Sequence, residues 1–362
     1  MRTDDFSYEL PPELIAQHPT ARRDQSRLMV LHRDSGKIEH RQFPDLLSFL
    51  KAGDVLVLNN SRVIRARLYG NNVETNGKFE LLLVDENFTN DWWAMMKPGK
   101  RAQLGTRIRL RSAQSQPAIQ HEIIATVLDV NSEGHRRLQF SGVPNILDVL
   151  DQIGELPLPP YIERKTTEFS AEDATRYQTV FAQTAGSVAA PTAGLHFTPE
   201  LLAQIRALGV EVHFVTLHVG LGTFVSVKTE TLAAHNMHEE RFEVSASTAH
   251  AVNEAKATGR RVIAVGTTTV RVLESVAAQF GNPLPAVTAG RTRIFIYPPC
   301  DFKVVDVMLT NFHLPCSTLL MLISAFAAPG ELRGREMVLS AYAEAIRERY
   351  RFFSYGDATL IF

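Results

Sequence analysis

Between Tyr69 and about Gly142 the texture of this 362-residue sequence changes, and that change limits the fold more than any other feature. The interval holds short runs at Phe79 to Val84, Asp91 to Met96, Arg107 to Arg111, Glu122 to Val127 and Arg136 to Phe140. Turn residues separate them and no convincing amphipathic helix lies among them, which is the pattern of a small β-barrel or sandwich. Elsewhere the pattern differs. Helical signals at 199–208, 245–258, 270–280, 317–327 and 335–349 alternate with strand-like runs. Those runs include Gly53 to Leu58, Val210 to Val219, Arg261 to Val265, Arg293 to Tyr297 and Val304 to Leu309. Such alternation argues for an α/β architecture. The expected division is a discontinuous α/β domain, 1–68 and 152–362, interrupted by an all-β domain at 69–151. The proline-rich stretch from Gly154 to Tyr161 is the natural return, since residues before proline favour extended backbone. Shorter elements are expected too: helices at Tyr8 to Ile15 and Ala171 to Phe181, and a strand at Arg27 to Leu31.

One loop stands out. Gly186-Ser187-Val188-Ala189-Ala190-Pro191-Thr192-Ala193-Gly194-Leu195-His196 has neither a strand nor a helix period. Small side chains let backbone approach a ligand closely. Thr198-Pro199-Glu200 then supplies an N-cap, a proline at the first helical position and an acidic first turn. A histidine-bearing loop thus opens onto a helix N-terminus, where unpaired N–H groups favour anions. A tight packed connection without a ligand would read the same way.

Composition removes several classes. A formal net charge of −1 excludes a uniformly basic nucleic-acid coat, though not a local patch. Cys300 and Cys316 are too few for a disulfide framework and suit a reducing compartment. The first residues are charged, with no apolar signal core, and no apolar run is long enough to span a membrane. A cytoplasmic protein is expected. The clearest local asymmetry lies between Asp91 and Glu122, where Lys97, Lys100, Arg101, Arg107, Arg109 and Arg111 meet no acidic residue. Arg107, Arg109 and Arg111 alternate, so they share one strand face suited either to a phosphate backbone or to carboxylates from elsewhere in the fold.

Three strand ends carry residues capable of chemistry: His218 with Gly220, Gly222 and Thr223; Gly266 with Thr267 and Thr268; and Asn311 with His313. In α/β folds such positions commonly converge on one pocket, although a lone histidine is more often a packed or surface residue. Two familiar signals fail. Gly220-Leu221-Gly222 lacks the rest of a dinucleotide fingerprint, and no P-loop is present. His235 and His238 are spaced for one helix face, but the H-E-x-x-H pattern is absent and no metal is expected.

Seven stretches together resemble the bacterial S-adenosylmethionine:tRNA ribosyltransferase-isomerases of queuosine biosynthesis. They are Gly53 to Leu68, Gly186 to Phe197, Thr216 to Phe224, His235 to Glu239, Val265 to Ser275, Asn311 to Leu319 and Tyr350 to Asp357, in family order across nearly the whole chain. Departures are Asn60-Ser61, where Asp-Thr is common, and Leu221, where a small residue is common. The resemblance implies a barrel-like α/β domain split by a small β-barrel. It also implies transfer and isomerisation of the ribosyl part of S-adenosylmethionine onto 7-aminomethyl-7-deazaguanine at a tRNA wobble position. The products would be epoxyqueuosine, adenine and methionine. S-adenosylmethionine is then a co-substrate, no cofactor is tightly bound, and a monomer is expected.

That chemistry needs a base near a carbon made acidic by the sulfonium, a proton donor for departing adenine, and a neutral acceptor amine. Histidine suits such transfers near neutrality. His218 and His313 are expected to share these roles, with His196 in reserve; packing or loop orientation is the alternative for all three. Expected substrate contacts are Ser187, Pro191, Thr192, Gly194, Gly220, Gly222, Thr223, Gly266, Thr267, Thr268, Arg271, Asn311, Phe312 and Tyr355. Backbone N–H groups after Gly194 and Gly266 would hold a carboxylate or a phosphate. Expected tRNA contacts are Arg62, Arg65, Lys97, Lys100, Arg101, Arg107, Arg109 and Arg111. A tRNA methyltransferase and a non-catalytic RNA-binding protein are the competing classes, separated by the products of a single incubation.

Overall fold

The structure, a computed structural model, describes residues 1–111, 122–164, 171–220 and 227–362. Nine strands make one mixed sheet in the order Val287–Thr292, Glu240–Val244, Glu211–Leu217, Val55–Asn59, Val262–Val265, Val307–Asn311, Ala358–Ile361, Arg27–Leu31 and Ile38–Gln42. Four neighbours, Glu211–Leu217, Val55–Asn59, Val262–Val265 and Val307–Asn311, run parallel, so their carboxyl ends share one edge. Their sequences explain the burial. Val55, Val57, Val262 and Ala264 enter the core on one face, while Leu56, Leu58, Ile263 and Val265 enter the core on the other. A strand covered on both faces must be apolar at successive positions. Helices Ala246–Ala257, Thr267–Phe280, Thr318–Ala327 and Gly334–Arg347 cover the first face, and Pro199–Ala207 with the 3-10 turn Phe43–Phe49 covers the second.

The sheet is open, not barrel-like as expected. Its two outer strands, Val287–Thr292 and Ile38–Gln42, each pair antiparallel on one side only. Ile38–Gln42 is largely polar and exposed, which suits a solvent-facing edge and not a closed seam. Other expectations shift locally. The strand foreseen at Arg293 to Tyr297 instead occupies Val287–Thr292, and the apolar residues after it pack as loop against the core. The helix begun at Ala171 ends at Arg176, and Tyr8 to Ile15 yields only the 3-10 turn Pro12–Leu14. No helix among the described residues is long and apolar enough to cross a membrane.

Six strands form a closed barrel in the order Arg136–Ser141, Asp91–Lys97, Lys78–Phe88, Arg67–Asn72, Arg107–Leu110 and Ile124–Val130, which returns to the first. Its interior is filled by residues including Leu68, Leu81, Trp92, Ala94, Ile108, Ala125 and Leu138, so it is a packed core and not a pore. Period-2 alternation then turns Trp93, Met95 and Lys97 outward from their strand. All six strands fall between Arg67 and Ser141, whereas the sheet draws on both sides of that interval. The barrel and the sheet are joined by the ion pair of Asp85 with Arg241 at 3.2 Å and by a contact of Glu133 with His238 at 3.3 Å.

Candidate active site at the carboxyl edge of the sheet

Asn59, fully buried at the end of its strand, binds its neighbours together. Its Nδ2 donates to the Leu217 carbonyl at 3.0 Å and to Thr268 Oγ1 at 3.3 Å. Its Oδ1 accepts from the N–H groups of Ser61 and Leu217, both at 3.1 Å. Ser187 Oγ accepts the Val219 N–H at 2.7 Å and lies 3.1 Å from Ser61 Oγ. Gly186 is required where it stands, because an added Cβ would come within 2.7 Å of the His218 ring. Gly266, at φ 86°, turns the Val262–Val265 strand directly into helix Thr267–Phe280.

Two adjoining hollows result, with Leu319 lining both. The smaller, about 40 Å³, brings together Pro191, Thr192, Gly266, Thr267, Thr268, Asn311, Phe312 and His313 from segments far apart in the chain. The larger is a cleft of about 490 Å³ holding His218, Gly220 and Arg271. Its opposite wall is the barrel, through Asp85, Asn87, Trp93, Met95 and the 131–135 turn. Other expected contacts lie elsewhere. The Ser187 hydroxyl is consumed in the strand junction, and Gly194 packs tightly on Thr179 and Phe181. Tyr355 donates to Asp173 at 2.9 Å and faces a separate small hollow beside His196. Gly222 and Thr223 lie outside the described residues.

The three histidines have different surroundings. His196 is sealed: Asn311 Nδ2 donates to its Nε2 at 3.2 Å, which leaves the proton on Nδ1 for Ser26 Oγ at 2.7 Å. Its ring also stacks on Phe43 at 4.9 Å. Both ring nitrogens of His196, the reserve candidate, are thus engaged within the protein. Burial pushes its pKa down to about 3. His313 is likewise driven to about 3 by burial, and its Nε2 lies 2.9 Å from Thr310 Oγ1. His218 differs, because it stands half-buried on the cleft wall with Nδ1 unpartnered among the described residues. Burial, reinforced by the positive Arg241, lowers its pKa to about 4. All three rings are therefore uncharged at neutral pH.

Besides the expected Arg271, the cleft carries charges that sequence reasoning missed. Glu240 forms a buried ion pair with Arg271. Arg291 reaches Glu239 at 2.8 Å and Asp85 at 3.7 Å, and Arg293 reaches Glu239 at 3.2 Å. Burial raises the Asp85 pKa against the opposing charges of Arg241 and Arg291. Alternation of Arg291 and Arg293 was the one available signal, and it does not say which wall they join. His235 and His238 also line the cleft, and among the described residues no cluster of three or more His, Cys, Asp or Glu is placed to hold a metal.

The arginine stripe is not at this site. Arg107–Leu110 stands three places from Asp91–Lys97 either way round the six-stranded ring, so Arg107 and Arg109 project from the side of the barrel away from the cleft. Arg109 there meets the Glu122 carboxylate. Lys97, by contrast, continues the outward row of the cleft residues Trp93 and Met95. Lys100, Arg101, Arg111 and Arg62 are exposed, and Arg65 donates to the Asp151 carbonyl at 3.0 Å.

Polar loops at the carboxyl edge of four parallel strands, faced across a cleft by a barrel, are the arrangement of an α/β enzyme. Residues 3–361 match the model of the family described as queuosine biosynthesis protein. The S-adenosylmethionine:tRNA ribosyltransferase-isomerase of Desulforamulus reducens is 50% identical over 361 residues, covering 100% of both chains. That of Clostridioides difficile is 48% identical, again covering 100% of both. A crystal structure of S-adenosylmethionine tRNA ribosyltransferase from Thermotoga maritima aligns over 99% of this chain and 100% of its own, with 38% identity and a TM-score of 0.52. The chain belongs to the queuosine biosynthesis protein family.

The histidines impose a sign on the pH dependence of stability. Their folded pKa values lie below the ordinary 6.5, so between about pH 3 and 6.5 the unfolded chain binds more protons and acid destabilises the fold. Stability is complete above pH 6.5 and falls below it, by about 2 kcal/mol for each of His196 and His313 on going from pH 7 to 5. Urea midpoints across that range should show this slope, and His196→Gln should flatten it by one histidine's share. An equal slope in the variant contradicts the assignment.

Proposed function

We propose that this chain transfers and isomerises the ribosyl group of S-adenosylmethionine onto 7-aminomethyl-7-deazaguanine at the wobble position of a tRNA, releasing adenine and methionine and leaving epoxyqueuosine. The observation that carries the proposal is the cleft of about 490 Å³ between the strand ends and the barrel, in a chain of this family. Its volume suits one nucleoside-sized ligand. It opens on one side toward an outward barrel face, where Trp93 can stack on an unpaired base and Lys97 can meet phosphate.

In this scheme His218 is the proton carrier. It is neutral before substrate arrives, so its ring can take the proton from ribose C5′, which the sulfonium acidifies. An imidazolium of such low pKa is a strong acid and passes its proton on readily, here to the ring nitrogen of departing adenine. The acceptor amine loses charge on entering the cleft, for the burial reason that keeps the histidines neutral. His313 and Asn311 shape the smaller hollow beside it. The chain acts as a cytoplasmic monomer without a tightly bound cofactor, its barrel inserted into a discontinuous domain as expected from the sequence, but beginning at Arg67 and not at Tyr69.

Incubation with S-adenosylmethionine and tRNA bearing the aminomethyl base should release adenine and methionine together. His218→Ala should slow adenine release by about 10²- to 10⁴-fold while tRNA affinity holds. Release of S-adenosylhomocysteine would instead mark a methyltransferase, and binding without adenine release an RNA-binding protein. Charge reversal should discriminate between barrel faces. Lys97→Glu should weaken tRNA binding and reduce its salt dependence, whereas the pair Arg107→Glu and Arg109→Glu should change it less. The opposite ranking in a filter-binding titration would place the tRNA on the far side of the barrel.

A further inference from the structure

Arg271 lies one turn into helix Thr267–Phe280 with its side chain 5% exposed, at the cleft. A guanidinium presents its N–H groups in a rigid planar fork. Here Nη1 is taken by the Glu240 carboxylate. Glu240 Oε1 in turn accepts the Gly220 N–H at 3.3 Å, which fixes the pair against the loop that carries His218. The other two nitrogens, Nε and Nη2, are buried without a partner among the described residues. They occupy the same edge of the fork, the edge that binds a carboxylate through two parallel N–H···O bonds. Buried donors of this kind are nearly always satisfied, and leaving a charged one unmade is costly. Two donors on one edge of a buried, pre-oriented arginine, unpartnered among the described residues, are a binding element suited to an anion.

We propose that the Nε/Nη2 edge of Arg271 seats the carboxylate at the amino-acid end of S-adenosylmethionine, with Glu240 holding the fork in place. The assignment rests on the function proposed above and names the part of the co-substrate that is held. A carboxylate on a flexible aliphatic tail can reach so enclosed an edge. A backbone phosphate, flanked by riboses on both sides, cannot enter without carrying them along. Anchoring the tail beside Gly220 also sets the sulfonium carbon near His218, two residues away in the same loop.

The test compares S-adenosylmethionine with its decarboxylated analogue by competition binding, in the full-length protein. Wild type should prefer the carboxylated ligand by at least about tenfold, as loss of a charge-assisted bidentate contact implies. Arg271→Gln should bring that ratio close to one by weakening S-adenosylmethionine alone. Arg271→Lys, which keeps the charge and loses the fork, should fall between. A wild-type ratio near one overturns the proposal whether or not the variants fold, and so does a ratio that survives in folded Arg271→Gln. A drop in tRNA affinity with the ratio intact assigns the edge to RNA phosphate instead and also overturns it. Wild type that discriminates between the ligands but releases no adenine keeps the seat and refutes the reaction.

Discussion

The buried amide of Asn59 is the contact on which the site depends. Side-chain hydrogen bonds to Ser61, Leu217 and Thr268 tie the ends of two parallel strands to the first turn of the helix that follows a third. Four hydrogen bonds from one fully buried side chain leave little freedom for the loops that begin there. The strands themselves can converge only because they are apolar on both faces and enclosed by two cores. Packing brings the ends together, and the amide sets their register.

Low local polarity has opposite effects on the groups it surrounds. It removes the charge from His196, His218 and His313, and with it any need to find a counter-ion. It cannot do so for Arg271, whose guanidinium stays charged and must be paired. Glu240 pairs only one of its corners. The neutral His218 ring and the half-paired Arg271 line one cleft. The barrel wall contributes Trp93 and Asp85, which the sheet alone would not supply.

Much of the fold was legible because its signals are local. Trp92, Ala94 and Met96 alternate with outward residues in the barrel, and the run from Val55 to Leu58 has no polar break. The polar outer strands Ile38–Gln42 and Val287–Thr292 carry no such run, and the barrel-like form that the resemblance implied did not anticipate the open sheet they flank. The convergence of 190–193, 266–268 and 311–313 on one hollow followed from strand ends sharing an edge. Individual roles did not follow. His196 is sealed by Ser26 and Asn311, 170 and 115 residues away in the chain, and nothing near it in sequence announces them. The arginine alternation at 107–111 was correctly a strand face, but which way a closed barrel turns that face is set by its contacts with the sheet. The empty edge of Arg271 is a property of atoms and has no sequence signature.

The direct test of the central claim, that strand-end loops and barrel enclose a single site, is a crystal structure with an inert analogue of S-adenosylmethionine bound. The account predicts the nucleoside in the cleft between Trp93 and His218, with ribose C5′ within about 3–4 Å of the His218 ring. An analogue bound in the hollow beside Tyr355, or on the outer barrel face around Arg107, would contradict it.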